Sequence, residues 1–367
     1  MKILITDGIS KDGAALLQNA GHEVVQQALA PEELLAQIGE YDALIVRSAT
    51  KVRADVIDAG AKLKVIGRGG VGLDNIDVAH AKAKGIAVVN TPGASSISVA
   101  ELAIAHMFAI CRFVHISNVQ MRAGAWPKKE YSKGVELTGK TLGLIGFGNI
   151  GKETAKRALG IGMTVIAHDP FVKETDMDVR LVSKDELLAQ ADVISLHIPF
   201  IKEEGPTIGA AEFAKMKDGV LLVNCARGGV VVEADLVDAL NSGKVRAAGV
   251  DVYVNEPVTE AQQTLLNHPN VSVTPHIGAS TVEGQARVGV EIAERVIDAL
   301  KSCQNPFRGG DAPRPSPPTV PLTRRPSRNR RNRLAMATLR PFRAFRPNPE
   351  FPAGGAATTY DLRNHNE

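Results

Sequence analysis

The segment Thr141-Leu-Gly-Leu-Ile-Gly-Phe-Gly-Asn-Ile-Gly151 constrains this chain more than any other. Three glycines stand at G-x-G-x-x-G spacing behind a short apolar run and ahead of a helical pattern. Each has a distinct physical task. Gly146 makes the tight turn off a strand, and Gly148 lets a backbone approach a pyrophosphate closely. Gly151 lets the following helix pack against the strand. The helix from Asn149 and Ile150 then directs free amides and its positive end at the phosphates. The next predicted strand, 164–168, leads into Asp169, 18 residues beyond Gly151. A carboxylate there accepts from ribose hydroxyls and repels a 2′-phosphate, so the expected cofactor is NAD rather than NADP.

The surroundings fit a dinucleotide-binding unit. Val- and Ile-rich runs at 3–6, 43–46, 64–67 and 87–90 alternate with amphipathic stretches. Further runs follow at 142–146, 164–168, 193–197, 220–224, 247–251 and 271–274. This is the rhythm of α/β folding on open parallel sheets, Rossmann-like or flavodoxin-like, with helices on both faces. Between the two sets, Ser98-Val-Ala-Glu101 has the spacing of a capping box. It predicts a long connecting helix from Ser98 to about Val119. A final helix is expected over 281–301.

Charge and cysteine usage exclude several functions. Between 302 and 367 stand twelve arginines and four acidic residues; removing these from totals of 43 and 40 leaves a mildly acidic body. A nucleic-acid-binding core is therefore not expected. The 302–367 segment is rich in Pro and Arg without hydrophobic period, and disorder is predicted for it. Cys111, Cys225 and Cys303 are scattered, so neither a disulfide framework nor a metal site is expected, and a cytoplasmic setting fits best. No apolar stretch approaches the length that spans a bilayer, and no membrane association is expected.

Three polar residues follow strands of the second set: Arg227 in Asn224-Cys-Ala-Arg-Gly-Gly229, Glu256 in Asp251-Val-Tyr-Val-Asn-Glu-Pro257, and His276 in Thr274-Pro-His-Ile-Gly-Ala-Ser280. Ligands of open α/β sheets bind beyond the carboxyl ends of strands. Oxidising a secondary alcohol by hydride loss needs a proton acceptor that titrates near neutrality, which suits His276. Glu256 would orient the imidazole. Arg227 would bind a carboxylate in a fork and polarise the adjacent carbonyl. Asp251 is a candidate for the nicotinamide carboxamide, and His197 for the adenosine side. Pro199, Cys225, Ala226, Gly278 and Ala279 complete the candidate cofactor set. His80, His106 and His115 fall on helical stretches and receive no role.

Together these motifs resemble the D-isomer-specific 2-hydroxyacid dehydrogenase family over residues 1–301. Val46-Arg-Ser-Ala-Thr-Lys-Val52, Gly67-Arg-Gly-Gly-Val-Gly-Leu-Asp-Asn-Ile-Asp77 and Asn90-Thr-Pro-Gly93 are most similar to its phosphoglycerate-oxidising members. The resemblance implies a nucleotide domain (98–281) inserted into a substrate domain (1–97 plus 282–301). It places the family's Arg, Glu and His roles on Arg227, Glu256 and His276, and it implies a homodimer or homotetramer. The substrate is then a small 2-hydroxy acid, expected to be phosphorylated. Candidate phosphate ligands are Arg47, Lys51 and Arg68 beside Ser48 and the Gly69 and Gly70 amides. No counterpart of the family's C-terminal serine-binding domain is read after Lys301. Glyoxylate/hydroxypyruvate reduction, D-lactate oxidation and a non-enzymatic NAD-sensing corepressor role are the competing expectations.

Overall fold

The computed structural model describes residues 1–304; the Pro/Arg-rich segment that begins at 302 therefore lies almost wholly outside the described residues. Five strands build the first sheet: β1 (Lys2–Ile5), β2 (Glu23–Gln26), β3 (Ala43–Val46), β4 (Val65–Arg68) and β5 (Ala87–Asn90). They run parallel in the order β2-β1-β3-β4-β5. The second sheet contains β6 (Thr141–Ile145), β7 (Thr164–His168), β8 (Val179–Leu181), β9 (Val193–Leu196), β10 (Val220–Asn224), β11 (Val245–Val250) and β12 (Val271–Val273). Its order is β12-β11-β10-β9-β6-β7-β8, again all parallel. From β6 the chain winds outward through β7 and β8, then returns to β9 on the other side. The crevice beyond the ends of β6 and β9 is thus the topological switch point where such sheets bind ligands.

Burial explains which strands were legible. Every residue of β3, β9 and β10 is buried, as expected of parallel strands covered on both faces. The sequence reading missed β2 and β8. Both are edge strands: β2 reads Glu-Val-Val-Gln with exposed ends, and β8 is only Val-Arg-Leu.

The connecting helix corrects two expectations. It begins at Ser96, so the predicted 97/98 boundary falls in its first turn. Ser98 is not its cap: the side chain is buried, with its hydroxyl 2.7 Å from that of Thr281. Glu101 instead pairs with Arg157 at 2.9 Å. Both side chains of the apparent capping box are claimed by tertiary partners, which a local spacing cannot reveal. Nor does the helix continue to Val119. It ends at Cys111, and a second helix, Val114–Arg122, leaves at 65°. Phe113 at the break has φ 56°, with its ring packed against Tyr131 at 5.2 Å and the Arg246 guanidinium at 5.9 Å.

The helix Ser96–Cys111 packs on the second sheet through Val99, Ala103 and Met107. The last helix, Val282–Gln304, returns to the first sheet, where Ile292, Ala293, Val296 and Leu300 meet Ile3, Ile5, Ile45 and Val65.

Candidate active site

Beyond β6 the three glycines have three different surroundings. Gly146 has φ 96°, and a Cβ there would lie 2.4 Å from the His197 carbonyl oxygen. A Cβ on Gly151 would lie 2.4 Å from the Gly146 oxygen. These two seal the turn against β9 and against the helix Asn149–Gly160. A Cβ on Gly148 would meet nothing within 4 Å. Its bareness serves no internal packing, which leaves the open cradle that a pyrophosphate needs. Asn149 and Ile150 form the first turn of that helix, and the Asn149 side chain donates to the Pro92 carbonyl at 3.2 Å.

Asp169 follows β7 and braces the turn. Its carboxylate accepts from the Phe147 amide at 2.8 Å and the Phe171 amide at 2.9 Å. A carboxylate has about four acceptor sites, so two amides leave capacity for ribose hydroxyls. His197 follows β9. Its Nε2 meets the Ser195 hydroxyl at 3.1 Å, while its buried Nδ1 has no partner among the described residues. Burial pushes its pKa down to about 4, so the ring is neutral beside the glycine turn. Pro199 is exposed nearby in sequence.

Arg227 leaves the end of β10 on a turn clamped by buried Asn224. The Asn224 amide donates to the Arg227 carbonyl at 3.0 Å, and its oxygen accepts from the Ala226 amide at 3.0 Å. Cys225 and Ala226 are buried, and burial pushes the Cys225 thiol pKa up. The Arg227 guanidinium donates to the Ala226 carbonyl at 2.7 Å and pairs with Asp74 at 3.1 Å. His276 Nδ1 lies 2.6 Å from Glu256 Oε2. Glu256 Oε1 accepts from the Tyr253 amide at 3.0 Å. Burial raises the Glu256 pKa, but the bonds from His276 and Tyr253 and the nearby Arg227 charge outweigh it. The carboxyl is held below the usual glutamate range. With Nδ1 engaged, Nε2 is the His276 nitrogen left for proton traffic. His276 has φ 54°, the left-handed region, where strain at non-glycine residues concentrates at functional sites.

Asp251 follows β11 directly, at the strand end where the sequence placed it. It is 1% exposed, and its oxygens accept from the Thr274 hydroxyl and the Ile277 and Gly278 amides. Its observed task is to pin the loop that carries His276, with buried Gly278 and half-buried Ala279 beyond.

In the first sheet, Arg68 is flanked by Arg47 and Arg227. Burial and those like charges push its pKa down to about 10, against the opposing pull of Asp74 and Asp7. Its buried Nε has no partner among the described residues. Arg47 donates to Gln285, while Ser48 and Lys51 are exposed. The Gly69 amide is not free for a phosphate: it donates to the Val46 carbonyl at 2.9 Å, because the backbone after β4 still follows β3. Buried Gly70 packs under the Arg68 guanidinium. Sequence reasoning assigned no role to Asp74, Thr274, Gln285 or His106. Asp74 lay within a quoted motif, but only the fold brings it across to Arg227.

A bare glycine cradle at the switch point, with a carboxylate-backed imidazole and a guanidinium after neighbouring strands, defines a dinucleotide-dependent oxidoreductase of small acids. Residues 104–278 match the model of the D-isomer specific 2-hydroxyacid dehydrogenase NAD binding domain. The chain is 52% identical to a hydroxypyruvate reductase of Thermotoga maritima over 82% of this chain and 98% of that protein. It is 47% identical to a D-3-phosphoglycerate dehydrogenase of Archaeoglobus fulgidus, covering 82% of this chain but 58% of that longer protein. Among solved structures, a glyoxylate reductase from Paecilomyes thermophila superposes with a TM-score of 0.76 at 35% identity, over 83% of this chain and 96% of that one. The chain belongs to the D-isomer specific 2-hydroxyacid dehydrogenase family and is an NAD-dependent oxidoreductase, which sets aside the non-enzymatic corepressor reading.

Proposed function

We propose that the chain oxidises D-3-phosphoglycerate at C2 to 3-phosphohydroxypyruvate. His276 Nε2 takes the hydroxyl proton, and Glu256 offsets the positive charge that then develops on the ring. Arg227 holds the substrate carboxylate and polarises the C2 oxygen. NAD, when bound over the glycine turn, supplies the hydride acceptor. In the reverse direction His276 returns the proton to the forming alkoxide.

The observation that carries the phosphate is Arg68, a half-buried guanidinium between two further arginines and without an ion-paired carboxylate among the described residues. Such a cluster is poorly compensated until a multiply charged anion enters. A second reading, reduction of hydroxypyruvate, is favoured by the 52% identity over almost all of the Thermotoga maritima protein. Steady-state kinetics with 3-phosphoglycerate, hydroxypyruvate, glyoxylate and pyruvate separate the two. The phosphate reading expects the highest kcat/KM for the phosphorylated pair, and a loss of at least about tenfold in Arg68→Met for that pair alone. Equal or better turnover of unphosphorylated hydroxypyruvate, with Arg68→Met indifferent to the phosphate, refutes it.

A further inference from the structure

His106 lies in the middle of the helix Ser96–Cys111, 2% exposed, with both ring nitrogens engaged. Nδ1 is 3.0 Å from the Ser272 hydroxyl and Nε2 is 3.0 Å from the Thr274 hydroxyl. The Thr274 hydroxyl is in turn 2.6 Å from Asp251 Oδ1. Asp251 accepts from the Ile277 amide at 2.8 Å and the Gly278 amide at 2.9 Å, the two amides that directly follow His276. On the other side, the His276 amide donates to the Thr274 carbonyl at 3.1 Å. We propose that His106 is a positioning residue for His276, acting through Thr274 and Asp251.

Proton accounting fixes how the relay is wired. An ionised aspartate only accepts, so the single Thr274 hydroxyl proton goes to Asp251. Thr274 must then accept from His106, which places the imidazole proton on Nε2. Nδ1 is left as an acceptor and is satisfied by the Ser272 hydroxyl. With the ring neutral, every donor in the chain has one acceptor. Burial favours that neutral form and outweighs the opposing pull of the Asp251 charge. The packing is cut to admit the ring: a Cβ on Gly249, in β11, would stand 2.5 Å from the His106 Cβ.

The relay has a task to perform. His276 occupies the left-handed region, and such a conformation persists only where its surroundings over-determine it. The Asp251 carboxylate supplies two charge-assisted bonds to the amides after His276, and Thr274 holds both Asp251 and the amide of His276. An apolar side chain at 106 removes the donor to the Thr274 oxygen and the acceptor for the hydroxyl of buried Ser272, so the loop gains alternatives. Sub-ångström to ångström drift of a proton carrier costs turnover rather than binding.

The test compares full-length wild type, His106→Leu and His106→Gln, using the acid that wild type turns over fastest. Leucine keeps bulk without a donor; glutamine restores an N–H that reaches Thr274. The expected result is a kcat lowered about tenfold to a hundredfold in the leucine variant, with KM and the NADH dissociation constant within about twofold. Glutamine is expected to recover kcat to within about threefold of wild type. A leucine variant with unchanged kcat, equal losses in both variants, or a change confined to KM would each overturn the proposal. Ring ¹⁵N NMR of wild type gives an independent reading: neutral, Nε2-protonated His106 at pH 7 is expected, and an Nδ1–H tautomer or an imidazolium overturns the relay. Wild type inactive on every acid would instead indict the dehydrogenase chemistry, and the NMR reading would still judge the relay.

Discussion

Replacing His276 separates what that residue contributes to chemistry from what it costs the fold. A positioned general acid–base is worth about 10² to 10⁴ in rate, or roughly 3–5 kcal/mol of barrier. His276→Ala and His276→Gly are both expected to lose turnover in that range while NAD affinity stays close to wild type. Their stabilities are expected to differ. At φ 54° a Cβ-bearing residue is strained by about 1–2 kcal/mol. Alanine keeps that strain and loses the Glu256 pair. The pair is 44% and 37% exposed, so its loss costs about 0.2–1 kcal/mol. Glycine relieves the strain but adds about 0.5–1 kcal/mol of unfolded-state entropy. The central balance leaves the glycine variant about 0.8 kcal/mol more stable than the alanine variant, a Tm difference of about 2–3 °C. Differential scanning calorimetry with stopped-flow turnover measures both effects. An alanine variant as stable as the glycine variant refutes the strain, and a rate loss under tenfold refutes His276 as the proton carrier.

The glycine turn and His197 give further expectations. Gly148→Ala has open space and ordinary φ, so urea unfolding is expected within about 0.5 kcal/mol of wild type, with NAD affinity reduced at least about tenfold by calorimetric titration. Gly151→Ala drives a Cβ into backbone and is expected to lose stability by at least about 1–3 kcal/mol as well as NAD binding; similar behaviour of the two variants would remove the distinction between cradle and seal. His197 has a folded pKa depressed from 6.5 to about 4, so the unfolded chain binds its proton first as pH falls. Its stabilising share is complete above about pH 6.5, is lost as pH falls toward 4, and amounts to about 2 kcal/mol lost by pH 5. Urea unfolding at pH 7 and pH 5 is expected to show a smaller drop in His197→Asn; an equal drop assigns the acid sensitivity to other groups.

What the sequence disclosed follows from how local each signal is. The glycine turn, Asp169, Arg227, Glu256 and His276 were legible because backbone sterics and reaction chemistry restrict the residue type at each position. Ten of the twelve strands among the described residues were visible as Val-, Ile- or Leu-rich runs, most plainly where burial on both faces demands one, as in β3, β9 and β10. β2 and β8, at sheet edges, carry only two apolar residues each, bounded or interrupted by polar ones. Ser98 and Glu101 misled because a capping box is a four-residue signal, and tertiary partners took both side chains. Asp251 was legible as important but not as buried. Its three donors come from residues 23, 26 and 27 positions away, on a loop that only the fold returns to it. His106 looked like an ordinary helical histidine for the same reason.

The two ion pairs of the site differ in what substrate does to them. In the proposed mechanism Glu256 and His276 serve each other throughout, because the glutamate stabilises the charge that proton transfer creates. Asp74 and Arg227 are different. In the proposed mechanism Arg227 holds the substrate carboxylate, yet here it is paired with an aspartate from the other sheet. The Asp74 side chain is 62% exposed, and an exposed, single-contact pair contributes only about 0.2–1 kcal/mol. A substrate carboxylate offers two oxygens to the guanidinium fork and a more desolvated setting, which makes the stronger, bidentate contact. Asp74 therefore keeps Arg227 extended toward the first sheet without competing seriously for it. A buried or bidentate aspartate at that position would hold the guanidinium too tightly to exchange, and an apolar residue would leave it anchored only through the Ala226 carbonyl it already touches.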